Sequence, residues 1–471
     1  MGDGHAGSGS GAQRKRQRQW HCSGRPAATP AVALAASASG GQCTCSIGDL
    51  SAARWWATAA DELRWAGLVS DAEQVHRLRA AKDQFESLDS ALFRQGRVAT
   101  NPFERLGTGP FVCRSALKLV EMDALCGLAT ATAAAEPRPA ASSEFTFVDV
   151  CGGPGGFSEF LCTKGRGWGI TLKEAANDCD WKIDRVVTSA AYFLLNGCFL
   201  PLFHPKQVHF EGFWLKRAAI FCENGSGQQA EVVESRFTVS YGSDGTGNVY
   251  RTENIRHFAA QVAASVPGGV RLVVADGGFQ EARDSHDQES IMHRLVLAQV
   301  AAMSTVLGEG GAFVLKLFEV LTPCTASIYY VAHKLFRSVT LLKPVTSRPA
   351  SSERYMVCRG FICEGSGKVS EHLLSLLQMA EDDSVGTMDD GSVRVGLAVP
   401  MGTMEADVAF MAHLRASNDA LGARQLAACE AITSWARGKA GAGSDTGSGW
   451  CWGQDSVVLR REMLRRWGLA G

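Results

Sequence analysis

The chain has 471 residues, 46% of them hydrophobic, with fifteen cysteines and a formal net charge of −1. That length holds two or three domains, or one large enzyme domain with appendages. The balanced charge excludes a broad basic coat, so any nucleic acid must lie in a local groove. No apolar run reaches the ~18 residues expected of a membrane span. The cysteines follow no framework spacing, and many sit in apolar runs (Cys151, Cys162, Cys222, Cys358, Cys363), which suits buried thiols in a reducing compartment. Cys22, Cys43 and Cys45 match no zinc spacing, so no metal is expected.

Residues 1–48 are rich in Gly, Ala and Ser and lack acidic residues between Asp3 and Asp49. They cannot build a core and read as a disordered tail. Its cluster Arg14-Lys15-Arg16-Gln17-Arg18 suits a nuclear import signal, an RNA-contacting arm, a transit peptide or simply a solvated tail. Residues 49–144 read as a helical region. Trp55, Trp56, Leu63 and Trp65 recur at helical spacing, as do Val75, Leu78 and Phe85, and the tryptophans read as core.

From Phe145 to about residue 365 strands and helices alternate. The predicted strands are Phe145–Val150, Trp168–Leu172, Arg236–Tyr241, Val270–Ala275, Ala312–Phe318, Val339–Lys343 and Arg354–Arg359. Met292, Val296, Val300, Met303 and Leu307 form one helical stripe, stopped by Gly308, Gly310 and Gly311. Such alternation predicts an α/β fold with a mostly parallel sheet covered on both faces. The short link Pro344–Glu353 predicts an antiparallel, hairpin-like sheet edge. Residues 175–235 fit this scheme badly and read as an insertion. Residues 366–471 read as a helical extension, with helices at Phe410–Leu414, Gln425–Trp435 and Val457–Trp467 and a flexible loop at Gly438–Gly449.

The strand Phe147–Val150 runs into Cys151-Gly152-Gly153-Pro154-Gly155-Gly156-Phe157 and then a helix-compatible run. A glycine-rich turn at a helix N-terminus lets a cofactor approach bare backbone. The order of glycines is not G-x-G-x-x-G, and no Gly-Lys-Ser/Thr follows. Glu159 in the first helical turn disfavours a diphosphate, so a cofactor without one, such as S-adenosylmethionine, suits the loop better. A tight turn with no ligand is the alternative.

Three other segments carry chemistry-bearing residues in unusual settings. Lys118 lies in the apolar helical run Phe111–Met122. Asp276 closes the buried strand Leu272–Ala275 ahead of Gly277-Gly278, where open α/β sheets hold their active sites. Lys316 sits mid-strand in Phe313-Val314-Leu315-Lys316-Leu317-Phe318, and lysine is rarely buried unpaired. Glu353 opens the final strand. Surface positions for the lysines and a turn role for Asp276 are the alternatives. Together they form a Lys-Asp-Lys-Glu set in which an amine can take a proton from a weakly acidic hydroxyl while carboxylates orient the ammonium groups.

These segments resemble the FtsJ/RrmJ-type ribose 2′-O-methyltransferases. The likeness is closest to the eukaryotic cap-specific mRNA (nucleoside-2′-O-)-methyltransferases that act on the first transcribed nucleotide. Asn101-Pro102-Phe103-Glu104, Gly169–Lys173, Ala275–Phe279 and Lys343–Tyr355 carry the likeness, with the ending Glu462–Leu469. The resemblance implies a Rossmann-like S-adenosylmethionine-dependent methyltransferase fold, with a seven-stranded sheet and helical N- and C-terminal extensions. It implies Lys316 as general base, with Lys118, Asp276 and Glu353 completing a tetrad. It implies S-adenosylmethionine on Cys151–Phe157, Asn248, Val249, Asp276 and Cys113. Asn248 stands where the family tends to carry aspartate, and Cys113 where it usually carries asparagine.

Lys82, Arg97, His286, Asp287, Gln288 and Ser351 correspond to family positions that contact capped RNA. The implied function is methylation of the first nucleotide of capped mRNA in the nucleus. The alternatives are a methyltransferase for rRNA, tRNA or the second cap nucleotide, or an inactive cap- or RNA-binding protein. The segment between Lys173 and Tyr241 is longer than the family's. The chain is expected to be a catalytic module behind a disordered tail, without the glycine-rich patch, guanylyltransferase-like and WW domains of the animal enzymes.

Overall fold

The computed structural model describes residues 32–35, 59–101, 103–104, 108, 111–129, 144–173, 179–182, 236–278, 287–380 and 396–441. All of these belong to one unit, Ala31–Gly471. In chain order, β1 (Val32–Ala35) precedes the helices α1 (Ala59–Val69), α2 (Ala72–Asp83), α3 (Ser90–Thr100) and α4 (Ser115–Cys126). The alternating part follows: β2 (Thr146–Val150), α5 (Gly156–Leu161), β3 (Arg166–Ile170), β4 (Phe237–Ser240), α6 (Thr252–Ser265), β5 (Val270–Ala275), α7 (Gln288–Val306), β6 (Leu307–Leu317), α8 (Pro323–Leu335), β7 (Phe336–Leu342) and β8 (Arg354–Phe361). Three further helices follow: α9 (Ser366–Met379), α10 (Met401–Ala406) and α11 (Val408–Gly441).

Local chemistry sets several of these boundaries. Asp71 and Asp89 cap α2 and α3, each carboxylate accepting two first-turn N–H groups. Gly127, at φ 63°, ends α4 in the left-handed conformation that glycine adopts without penalty. Thr322 caps α8, and Pro323 opens it, where a missing N–H costs nothing.

Among the described residues the sheet has eight strands, in the order β1-β7-β8-β6-β5-β2-β3-β4. Strands β4, β3, β2, β5 and β6 pair in parallel, whereas β8 is antiparallel to both β6 and β7. The antiparallel pairing of the last two strands is as the short link predicts. The returning strand β8, however, inserts between β6 and β7 and lies inside the sheet. At the other side, β1 pairs antiparallel with β7, so Val32–Ala35, inside the segment read as a tail, forms an edge strand.

Side chains alternate across the sheet, and the two faces fill two cores. Val148, Val150, Val273, Phe313 and Leu315 face one core with α6, α7 and α8. Phe147, Leu272, Val274 and Val314 face the other with α4 and α5. The chain leaves β2 toward β3 and β4, then returns to β5 on the opposite side of β2. That reversal opens a crevice at the carboxyl ends of β2 and β5, the usual ligand position in such sheets.

Strand β3 starts two residues before the predicted Trp168 because its glycines serve packing. A Cβ on Gly167 would enter the Phe147 ring, and one on Gly169 would enter the Trp181 and Phe237 rings. Strand β6 likewise begins at Leu307, through the glycines expected only to stop the preceding helix. The helices expected at Phe410–Leu414 and Gln425–Trp435 are parts of one helix, α11, which also runs through Gly438. Trp65 is fully buried, as a core residue should be, but Leu63 is exposed. Trp55, Trp56, Val457–Trp467 and nearly all of 175–235 lie outside the described residues.

Candidate active site

Strand β2 delivers the chain into the glycine loop with Cys151 at φ 57° and Gly155 at φ 112°. The Gly153–Pro154 peptide is cis. Three of the four glycines here answer a close approach. A Cβ on Gly152 would fall on the Asp149 carboxylate, one on Gly153 on the Cys179 carbonyl, and one on Gly156 on Cys113 Sγ and Ser115 Oγ. Below the loop, fully buried Asp149 accepts a hydrogen bond from Ser158 Oγ at 2.7 Å. Burial pushes the Asp149 carboxyl up to about 7. Gly153 N–H donates to Thr171 Oγ1 at 3.2 Å. Glu159, the first-turn carboxylate, is also buried and accepts from Val112 N–H at 2.6 Å, which fixes the segment that carries Cys113. Phe157 is buried with its ring 6.4 Å from that of Tyr355.

The four chemistry-bearing side chains converge beside this loop. Lys118 of α4 donates to Glu353 Oε2 at 2.9 Å. Lys316 of β6 lies with Nζ 3.2 Å from Asp276 Oδ1 and donates to Asp276 O at 2.8 Å. The Tyr355 hydroxyl donates to Asp276 Oδ1 at 2.8 Å, and Ser347 Oγ to Glu353 Oε1 at 2.6 Å. Lys118 Nζ also sits 5.7 Å over the Tyr355 ring. All four side chains are at most 17% exposed, so their charges act with little screening. Burial alone would raise the Glu353 carboxyl, but Lys118 and Lys316 with Ser347 hold it down at about 2. Burial would lower the Lys118 ammonium, yet Glu353 and Asp276 raise it above its ordinary value. A Cβ on Gly278 would meet Lys316 Nζ at 2.9 Å, so the second glycine of the Asp276 turn leaves that amine room.

The remaining expected residues sit as follows. Asn248 Oδ1 accepts from Tyr250 N–H at 2.9 Å, and Asn248 lines a cavity of about 610 Å³ with Ser243, Tyr250, Arg251 and Arg294. Val249 turns its side chain into the core, leaving only its backbone for a ligand. Cys113 Sγ is 2.7 Å from Ser115 Oγ. Lys82 donates to Ser352 Oγ at 2.7 Å and lies 3.4 Å from Glu319 Oε1. Ser351 receives Lys343, whose ammonium reaches Ser351 O and Glu353 O, both at 2.6 Å. Burial lowers the Lys343 ammonium to about 7. Asp287 and Gln288 begin α7, and His286 lies outside the described residues.

Arg97 does not stand alone. It, Arg114 and Arg348 converge on Glu104, at 3.7, 3.3 and 3.1 Å. Burial would raise the Glu104 carboxyl, but the three guanidiniums hold it below its usual range. Among the described residues no group of His, Cys, Asp or Glu could hold a metal ion, and no helix is long and apolar enough to cross a membrane.

The family described as FtsJ-like methyltransferase matches residues 111–191 and 226–361, a span that holds the glycine loop and all four converging side chains. Over that span the chain resembles the FtsJ-like methyltransferases. Curated relatives agree. Cap-specific mRNA (nucleoside-2′-O-)-methyltransferase 1 of Dictyostelium discoideum is 30% identical over 310 residues, 62% of this chain and 35% of that one. The Caenorhabditis elegans protein of the same name is 29% identical over 434 residues, 87% of this chain and 40% of that one. A Caenorhabditis briggsae relative named inactive cap-specific mRNA (nucleoside-2′-O-)-methyltransferase 1B is 27% identical over 410 residues, 82% and 42% of the two chains. The chain thus spans less than half the length of each of these relatives.

In this FtsJ-like site, several participants escaped the sequence reading. Tyr355, Ser347 and Glu104 each touch an expected residue, and Arg114 and Arg348 join Arg97 on Glu104. Tyr355 and Ser347 stand within the Lys343–Tyr355 segment that carried the resemblance, so their neighbourhood was a usable signal. Glu104 and Arg348 also stand within segments that carried the resemblance, but their convergence with Arg97 and Arg114 depends on how α3, α4 and the link before β8 pack.

Proposed function

We propose that this chain methylates the ribose 2′-OH of the first transcribed nucleotide of capped mRNA, using S-adenosylmethionine. The observation that carries the reading is the convergence of Lys118, Asp276, Lys316 and Glu353 within 2.9–3.2 Å pairs beside a glycine loop. S-Adenosylmethionine, when bound, supplies an electrophilic sulfonium methyl group. The residues fit it: Gly152, Gly153 and Gly156 keep bare backbone where Cβ atoms would collide, and Asn248 lines an open polar cavity. Cys151–Phe157, Asn248, Asp276 and the Val249 backbone would hold it.

Lys316 Nζ, as the neutral amine, would take the proton of the 2′-OH as that oxygen displaces the sulfonium sulfur from the methyl carbon. Asp276 aims the Lys316 amine through both its carbonyl and its carboxylate, and Tyr355 keeps that carboxylate from rotating. Glu353 balances Lys118, so the second cation can stand in the site without an uncompensated buried charge. Alignment of nucleophile and methyl group supplies much of the acceleration, on the order of 7–11 kcal/mol in the best intramolecular cases.

On the RNA side, three arginines share one glutamate, which leaves a local positive excess suited to phosphates although the whole chain is near neutral. Lys82, Arg97, His286, Asp287, Gln288 and Ser351 belong to this proposed RNA face. Nuclear entry through Arg14–Arg18 is part of the same proposal. The relative named inactive makes the competing reading concrete, and the complete Lys-Asp-Lys-Glu set here favours turnover.

The test is Lys316→Ala. It is expected to fold, to bind S-adenosylmethionine by calorimetry, and to lose methyl transfer by at least ~10²-fold. Turnover at the parental rate in that variant overturns the assignment.

A further inference from the structure

Helix α4 is apolar over most of its surface, with Ala116, Leu117, Leu119, Val120 and Met122 buried. Arg114 at its N-cap, Lys118 and Glu121 break that pattern at the spacing i, i+4, i+7, which is one face of a helix. All three grip the link between β7 and β8. Arg114 Nη2 donates to Thr346 O at 3.0 Å, and Lys118 donates to Glu353. The Glu121 carboxylate accepts from Val345 N–H at 2.8 Å, Thr346 N–H at 3.1 Å and Thr346 Oγ1 at 2.8 Å. Every polar group of Thr346 is therefore held by α4. The next residue, Ser347, donates to the one oxygen of Glu353 that Lys118 leaves open.

We propose that Glu121 is a positioning residue of the methyl-transfer site, acting through Thr346 and Ser347 on Glu353, and through Glu353 on Lys118. The inference rests on the reading of Lys118 and Glu353 given under Proposed function. Glu121 is 1% exposed, and among the described residues no cation pairs with it. An apolar side chain would suit the cluster around α4 better than such a carboxylate, since burying a charge without a counter-charge is costly. Burial accordingly pushes the Glu121 carboxyl up to about 7. What the carboxylate supplies is two oxygens that accept three donors from one stretch of loop. Without them, two backbone N–H groups and a hydroxyl lose their acceptor together, and buried donors do not stay unmatched. The loop then moves, Ser347 leaves Glu353, and Lys118 loses its fixed partner.

The experiment compares Glu121→Leu and Glu121→Gln with the parent, full chain, well below the melting temperature of each. The Leu variant is expected to lose at least ~10-fold in kcat, as small misplacements at a reacting centre do. Its S-adenosylmethionine Kd by calorimetry stays within about twofold, since the Glu121 carboxylate bonds to Val345 and Thr346 and to no residue assigned to the cofactor. The Gln variant keeps one carbonyl acceptor and falls between. Parental kcat in a folded Leu variant overturns the inference, as does a loss that Gln does not relieve.

Should the Leu variant not fold, a cycle of Glu121→Gln with Ser347→Ala decides. Ser347→Ala is expected to cost less in the Gln background than alone, because both act on Glu353; additive losses contradict the proposal. Lys316→Ala in the same assay separates the two claims. Its activity would refute the function, whereas its inactivity beside fully active Glu121 variants would refute only the role of Glu121.

Discussion

Glu353 shows how a single side chain links stability to the site. Its carboxyl is depressed from 4.5 to about 2, so its contribution to stability is complete above the unfolded value and is lost as pH falls toward about 2. Above pH 5 that contribution is on the order of 3 kcal/mol. Glu353→Gln leaves Lys118, 14% exposed, without its ion-pair partner. We expect the variant to melt well below the parent at pH 7, with a loss of roughly 3 kcal/mol, and the gap to shrink toward pH 3, where the parent's carboxyl begins to protonate. Thermal melts across pH 3–8 check this, and a gap independent of pH contradicts it. Lys118, Asp276 and Lys316 were legible in the sequence because each stands out from apolar neighbours, and Glu353 because it opens the final strand. Glu121 was not, because a carboxylate on a helix is ordinary until its tertiary partners are known, and Glu104, though within Asn101–Glu104, gave no sign of its three arginines.

At the scale of elements, the junction of β2 and α5 depends on the Asp149–Ser158 hydrogen bond beneath the glycine loop. The Asp149 carboxyl is raised from 3.8 to about 7, so its contribution is fully present below pH 4 and is lost as pH rises through 7. Ionising it in place costs on the order of 4 kcal/mol. Asp149→Asn removes this titration while keeping an acceptor for Ser158. The variant is expected to lose less melting temperature than the parent between pH 5.5 and pH 8; equal pH profiles would contradict the assignment. The elements themselves were readable where period and composition agree, as in Val270–Ala275, which has the predicted bounds. They were misread where glycine serves packing. Gly167 lies inside β3, ahead of the predicted start at Trp168, and Gly422 lies inside α11, where a Cβ would come 2.6 Å from Gln74 Oε1 of α2. A glycine kept for close approach looks, in sequence, like a glycine that ends an element.

For the whole molecule, the reversal of strand order beside β2 decides where chemistry can occur. It sets the carboxyl ends of β2, β5 and β6 side by side, with α4 and the link to β8 closing the site from the other core. The mostly parallel sheet followed from the alternating pattern, whereas the place of β8 between β6 and β7 did not, because sequence order says little about spatial order within a sheet. In the proposed function, the three arginines gathered around Glu104 on a near-neutral chain make a local contact with the RNA phosphates. Such a contact is expected to weaken steeply with salt, and filter binding of short capped RNA between 50 and 200 mM salt measures it; an affinity indifferent to salt contradicts it.

The most direct measurement is methyl transfer from labelled S-adenosylmethionine to short RNA with a 7-methylguanosine cap. Three substrates are compared: the capped RNA, the same RNA uncapped, and the capped RNA with a 2′-deoxy first nucleotide. Label is expected on the capped RNA alone, and is lost in Lys316→Ala. Equal label on the uncapped RNA, or label retained when the first 2′-OH is absent, would contradict it.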